Sequence, residues 1–201
     1  WAIRNLGEFT GEQKYVDYLT TYCNFMFDIK PYIGYEKYTL HRPYSRHTHL
    51  WNTPLLDFTS APALPFIYRL RKDNNFDRQE EYEALVEATQ DYLMKEQIRL
   101  PDGTFTRETP FKYTTWVDDM FMGIPFLLQS ALLADDPAER KGYFDDAANQ
   151  VLGFHKRVYD PEMDLYRHAQ YSERPEVKLP SWSRATGWGI WAPPEVLPPL
   201  P

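Results

Sequence analysis

Residues 114–129, TTWVDDMFMGIPFLLQ, put two carboxylic acids, Asp118 and Asp119, between Trp116 and a long apolar run. An ionised carboxylate is costly to take out of water, so acids at the mouth of a hydrophobic helix need a partner or a task. One reading is local: Thr115 as N-cap with Asp118 three residues later has the spacing of a capping box. The other is chemical. On the first turn Asp118 points into a cavity, while Asp119, about 100° further round the helix, pairs elsewhere. The helix start favours the charged form of Asp118; Trp116 and the neighbouring acid favour the neutral form. A carboxyl held between those pulls is a candidate proton donor.

A second group lies in SWSRATGWGIW, residues 181–191. Trp182, Arg184 and Trp188 bracket Gly187, which reads as a turn with a guanidinium between two indoles. Such a group is either cation–π packing at a helix start or a planar fork for a carboxylate ligand. His168, in LYRHAQ, is either a packed or surface imidazole or a hydrogen-bond donor to a ligand. Asp57, in NTPLLDFTSAPALPF, is either a helix N-cap or a second pocket carboxylate. His47 and His49 have no companion at zinc-ligand spacing, and DDMFMG lacks the third acid of an aspartate-rich magnesium motif. With no glycine-rich phosphate loop and no nucleophile elbow either, neither metal nor cofactor is expected.

These residues need helices to hold them. Tyr15, Tyr18, Leu19, Tyr22 and Met26 form one apolar stripe at helical spacing, and Tyr82, Leu85, Val86, Thr89 and Leu93 repeat it. Phe144, Ala147, Ala148, Val151 and His155 form a third, on a helix started by Asp136 as N-cap and Pro137 at its first position. No sustained strand alternation is present, so the fold class is all-α. LPDGTFTRE (100–108) and YDPEMDLYRH (159–168) each follow a helix, turn, and end on an aromatic with a basic residue, a weak repeat of helical hairpins. In GWGIWAPPEVLPPLP the apolar spacing is helical, but four internal prolines argue against a regular helix.

Composition narrows the partners. The chain has 201 residues, 43% of them hydrophobic, enough for one domain with a sizeable core. A net charge of −7 gives no clustered basic surface for nucleic acid, and no run of about 18 apolar residues suggests a membrane span. Cys23 is the single cysteine, which excludes an intrachain disulfide. The 6 Trp and 15 Tyr make either a large aromatic core or a groove whose flat rings cover the apolar faces of sugars. The first residue is Trp1 rather than Met, so the natural N-terminus is expected to lie upstream.

In order, LLD, DGTF, TWVDDMFMGIPFLL, LYRHA and WSRATGW resemble the unsaturated glycuronyl hydrolases, glycoside hydrolase families 88 and 105, the latter including the unsaturated rhamnogalacturonyl hydrolases. The resemblance runs from about residue 10 to residue 192. W-x-D-D/G-x-(Y/F)-M and W-x-R-x-x-G-W carry it; LLD is the weak member. It implies an (α/α)6 toroid, twelve helices around a central pocket, with residues 1–201 a single catalytic domain holding the first and larger part of such a ring, cut short at both ends. By position, Asp118 matches the family's catalytic acid/base and Asp57 its second pocket carboxylate. His168 and Arg184 match substrate contacts, and Trp116, Trp182 and Trp188 the aromatic walls. Where the family often has His-Lys after its GGFW turn, this chain has Thr106-Arg107.

The implied substrate is an oligosaccharide left by a polysaccharide lyase, with a C4=C5 double bond in its terminal uronic acid. One acid/base suffices for such an enol ether, unlike the pair of carboxylates that flanks an ordinary glycosidic bond. Two alternatives stay open: a conventional glycosidase on saturated uronic or neutral sugars that uses Asp57 with Asp118, and a non-catalytic glycan-binding helical toroid.

Overall fold

The apolar run behind Asp118 becomes the helix around which the others pack. The computed structural model describes residues 2–41, 50–51 and 55–196; His47 and His49 lie outside them. Helices α1 (Ala2–Thr10), α2 (Gln13–Tyr38), α3 (Ser60–Lys72), α4 (Gln79–Asp91), α5 (Asp118–Leu133), α6 (Pro137–Val158) and α7 (Ser183–Val196) follow one another along the chain. Short strands β1 (Thr114–Trp116), β2 (Tyr159–Asp160), β3 (Leu165–Tyr166) and β4 (Ala169–Tyr171) lie in the connections. From Gly123 to Ala131 every residue of α5 is buried. A helix apolar on all sides must be covered on all sides, and α3, α6 and α7 cover it.

The start of α6 is as the sequence predicts: Asp136 caps it, its carboxylate accepting from the Ala138 and Glu139 amides, with Pro137 next. On α4 the expected stripe is inward, Tyr82, Val86 and Thr89 being buried and Leu85 half-buried, with Leu93 buried in the turn that follows the helix. Two stripes shift. On α2, Tyr18 and Tyr22 are exposed, and the buried line is Leu19, Cys23, Met26 and Phe27. On α6, His155 is exposed and the inward line continues from Phe144 and Ala147 through Gln150, Phe154 and Val158. In both, a tyrosine or histidine with a polar end left the apolar line to a neighbour one position away.

Two further expectations are corrected. The all-α class stands, but two two-stranded antiparallel ladders join it, β1 with β4 and β2 with β3. Strands of two or three residues are too short to leave an alternation. Also, α7 runs to Val196, past Pro193 and Pro194. A proline removes one donor and strains one turn, and this fold absorbs that elsewhere: Pro31, Pro65 and Pro125 sit inside α2, α3 and α5.

Candidate active site

Asp118 opens α5, and the residue before the helix is Val117, with no side-chain cap. Thr115 is not the N-cap: it lies in β1, paired with Gln170 of β4. The capping-box reading therefore fails, because the strand holds Thr115 extended and two residues short of the helix. Asp118 and Asp119 are both buried, Asp119 almost completely.

The two acids part as a helix separates neighbours. Asp119 is gripped on both oxygens by Arg107, which donates from Nε at 2.9 Å and from Nη2 at 2.7 Å. The same Nη2 lies 2.7 Å from Asp57 Oδ2, a second ion pair. Asp118 has no such partner. Its Oδ2 is buried, accepts no hydrogen bond, and sits 3.5 Å from His168 Nε2. Burial pushes the Asp118 carboxyl above its ordinary range, against the pull of His168 and Arg107. Burial likewise pushes Asp119 up, to about 6, and the Arg107 pair offsets that only in part.

Backbone geometry sets these positions. In the β1–β4 ladder Trp116 faces Ala169, and the Val117 amide donates to the His168 carbonyl at 2.9 Å. The residues flanking the ladder, Asp118 and His168, are thereby held side by side. The Pro180 carbonyl accepts from the His168 amide at 3.1 Å, tying in the approach to α7. Arg107 is set by the preceding hairpin, where Arg99 bridges Phe105 and Arg107 bridges Thr114. Two buried amides lock that hairpin: Gln150 accepts from the Phe105 N–H, and Gln97 donates to the Thr106 carbonyl. Phe105 packs on α5 at Gly123, where an added Cβ would meet the ring at 2.8 Å. Gly189 does the same for α7, where an added Cβ would meet Val117 Cγ2 at 2.7 Å and the Tyr166 ring at 2.8 Å. Two missing side chains thus let the hairpin and α7 close on the start of α5.

Aromatic rings line the group. The Arg107 guanidinium lies 4.4 Å over Trp116, whose ring meets His168 edge-on at 4.7 Å; His168 meets Trp182 at 5.5 Å, and Arg184 covers Trp182 at 4.2 Å. Trp116, His168, Trp182 and Arg184 thus form one continuous line of contacts leading from Arg107 to solvent. Trp188 lies apart from it, stacked on Phe121 at 4.3 Å. The guanidinium between two indoles is therefore corrected to a guanidinium over one: Gly187 is inside α7, not in a turn, and Trp188 packs on α5.

So the structure groups Asp57, Asp118, Trp116, His168, Trp182 and Arg184 around one helix start. The sequence leads one to expect that Asp119 pairs away from Asp118, as it does, but it does not identify the partner, Arg107, at the centre of the group. The available signal was a basic residue two positions after the aromatic of DGTF, and it points nowhere without knowledge of which acid it meets. Among the described residues no cluster of three or more histidine, cysteine or acidic side chains is arranged to hold a metal ion, and no helix is long and apolar enough to cross a membrane.

The family model of Glycosyl Hydrolase Family 88 matches residues 2–201. Among solved structures, the protein described as "Structural Analysis of C. acetobutylicum ATCC 824 Glycoside Hydrolase From Family 105" is similar, with a TM-score of 0.69 at 18% identity. The match covers 99% of this chain and 51% of that one, so the chain spans about half the length of the solved protein, less than the larger part expected. At that identity the likeness establishes the fold, the all-α arrangement of (α/α)6 toroids.

Proposed function

The chain belongs to glycosyl hydrolase family 88, and from that membership we propose that it contributes the acid/base centre of an enzyme acting on oligosaccharides whose terminal uronic acid is unsaturated at C4=C5. Residues 1–201 act in this reading as one catalytic unit. The observation that carries it is the buried, unbonded Oδ2 of Asp118 beside His168, whose ring meets Trp116.

Asp118 in its acid form gives its proton to C4 of the enol ether. The positive charge then rests on C5 and the ring oxygen, next to the aromatic walls and the remaining carboxylates. Water adds to C5, and its surplus proton returns to Asp118. The hemiketal so formed opens to a ketone, and the hemiacetal left at C1 expels the next sugar without further help. Only the first two steps need the protein. A fixed acid beside a low-dielectric wall supplies the proton where charge develops. His168 and Arg184 orient the substrate, Arg184 through its fork toward the uronate. Asp57, already paired with Arg107, serves as a fixed negative charge near the developing cation.

The test is a panel of lyase-generated unsaturated disaccharides, followed by loss of the ultraviolet absorbance of the conjugated double bond. Run in heavy water, the product must carry deuterium at C4. Turnover of saturated glycosides, or an unlabelled C4, would overturn the reading.

A further inference from the structure

We infer that Arg107 is a positioning residue that sorts the three carboxylates of the site: it holds Asp119 on both oxygens and Asp57 on one, and so leaves Asp118 as the acid that carries the transferable proton. The inference rests on the proposed reaction only for what that proton does; the sorting itself is a property of the resting protein.

Asp57 and Asp119 contact one guanidinium, whose charge Asp118 also feels, and His168 is the other basic group that faces Asp118. Three ionised carboxylates against one Arg107 would leave uncompensated negative charge in a buried place, which is costly. The least costly arrangement keeps one carboxyl protonated, and hydrogen bonding decides which. Both Asp119 oxygens accept N–H groups from Arg107, an arrangement that favours the ionised form. Asp57 Oδ2 accepts no hydrogen bond, but it is in ion-pair contact with the same nitrogen and its side chain is partly exposed, so Arg107 and water meet its charge. Asp118 Oδ2 accepts nothing. A neutral acid is accommodated there at least cost.

The guanidinium must turn its Nε–Nη2 edge to Asp119 while Nη2 also reaches Asp57. Trp116 beneath it, and the hairpin bridge to Thr114, fix that plane. A lysine is a point charge without such a fork. It could neutralise one carboxylate but not hold two in fixed directions. Tyr92, which also faces Asp119, donates its hydroxyl to Gln97.

The test reads protonation directly. Carbon-13 at the aspartate carboxyls allows Asp118 to be titrated by NMR in the wild type and in Arg107→Met, Arg107→Lys and Asp119→Asn. Arg107→Met removes a cation that pulls Asp118 down, so its midpoint should rise by roughly one unit. Asp119→Asn removes a like charge and frees Arg107 for the remaining acids, so the midpoint should fall. Arg107→Lys keeps the charge and should stay near the wild type. In turnover, Arg107→Met should lose on the order of 100-fold in kcat/KM, with its descending pH limb moved upward; Arg107→Lys should recover part of the rate. Opposed shifts in the Met and Asn variants support the assignment. Losses of rate or melting temperature with an unmoved Asp118 midpoint overturn it. If Arg107→Met does not fold, Asp119→Asn decides alone: a midpoint that stays or rises refutes the sorting. Should the wild type leave unsaturated disaccharides untouched, the proposed reaction falls, and the titrations still judge Arg107.

Discussion

Arg99 and Arg107 stand on one hairpin and each grips an aspartate with both ends of its fork, yet the two pairs are built differently. Arg99 meets Asp146 at 2.8 and 2.7 Å, and its other donors go to the Gly103 and Leu93 carbonyls. Asp146 is completed by Gln150. Cation and anion match one to one, and the pair is closed. Around Arg107 the count is one cation to three acids; Asp57 Oδ2 and Asp118 Oδ2 both accept no hydrogen bond, and of the two Asp57 Oδ2 is in ion-pair contact with Arg107, which leaves that of Asp118 over. Polar groups inside a protein are ordinarily satisfied, so the closed pair needs no explanation beyond holding the hairpin to α6. The open one does, and the surplus oxygen is where chemistry can happen.

Asp118→Asn is the sharpest way to break the contrast. It keeps shape and removes the transferable proton, so the rate should fall by about 10²–10⁴, some 3–5 kcal/mol of barrier, with the melting temperature nearly unchanged. Initial rates on an unsaturated disaccharide beside a thermal melt check both halves. Asp146→Asn strikes the closed pair, and the expectation reverses: about 2 kcal/mol of stability lost, read as a lower urea midpoint, with kcat per folded molecule intact. A slow but stable Asp146→Asn enzyme would erase the distinction.

Two smaller effects sharpen it. Arg184 sits exposed over Trp182, so Arg184→Lys should weaken substrate binding by about 1 kcal/mol through the lost fork, seen in KM. An unchanged KM with a lower melting temperature would mark Arg184 as packing. His168→Gln is the mildest in energy. Asp118 acts in its protonated form, and burial has raised its range, so the rate should fall as pH rises through it. His168 pulls the carboxyl down; without it, that descending limb should move to higher pH by less than about one unit. A limb that moves downward would show that His168 does not act on Asp118 through its charge.

What the sequence disclosed follows from the range of the forces involved. The Asp136–Pro137 start of α6 and the inward line of α4 are local, and one turn of helix contains all that is needed to read them. The acids of α5 were conspicuous because ionisable groups rarely begin so apolar a run. Arg107 was not, since its meaning lies in Asp119, twelve positions on, and in Asp57, fifty positions back. β1 and β4 were equally hidden: three residues cannot display a period of two. On α2 the large tyrosines outweighed Cys23 and Phe27 in the count of apolar positions, although a phenol end in solvent loses little. The prolines of α7 misled for the opposite reason, a local rule overridden by the helix.

The β1–β4 ladder also bounds how this region can vary in length. Its three pairs, Thr114 with Tyr171, Thr115 with Gln170 and Trp116 with Ala169, end directly at Val117 and His168. Side chains alternate between the faces of a strand, so one inserted or deleted residue turns every later side chain over. Within 114–116 that would swing Trp116 away from Arg107 and set a different residue against His168. The mostly exposed stretch 173–178 has no such coupling to the acids. Insertions and deletions can therefore accumulate in one of these neighbouring segments as silent drift, while in the other a single codon gained or lost dismantles the site.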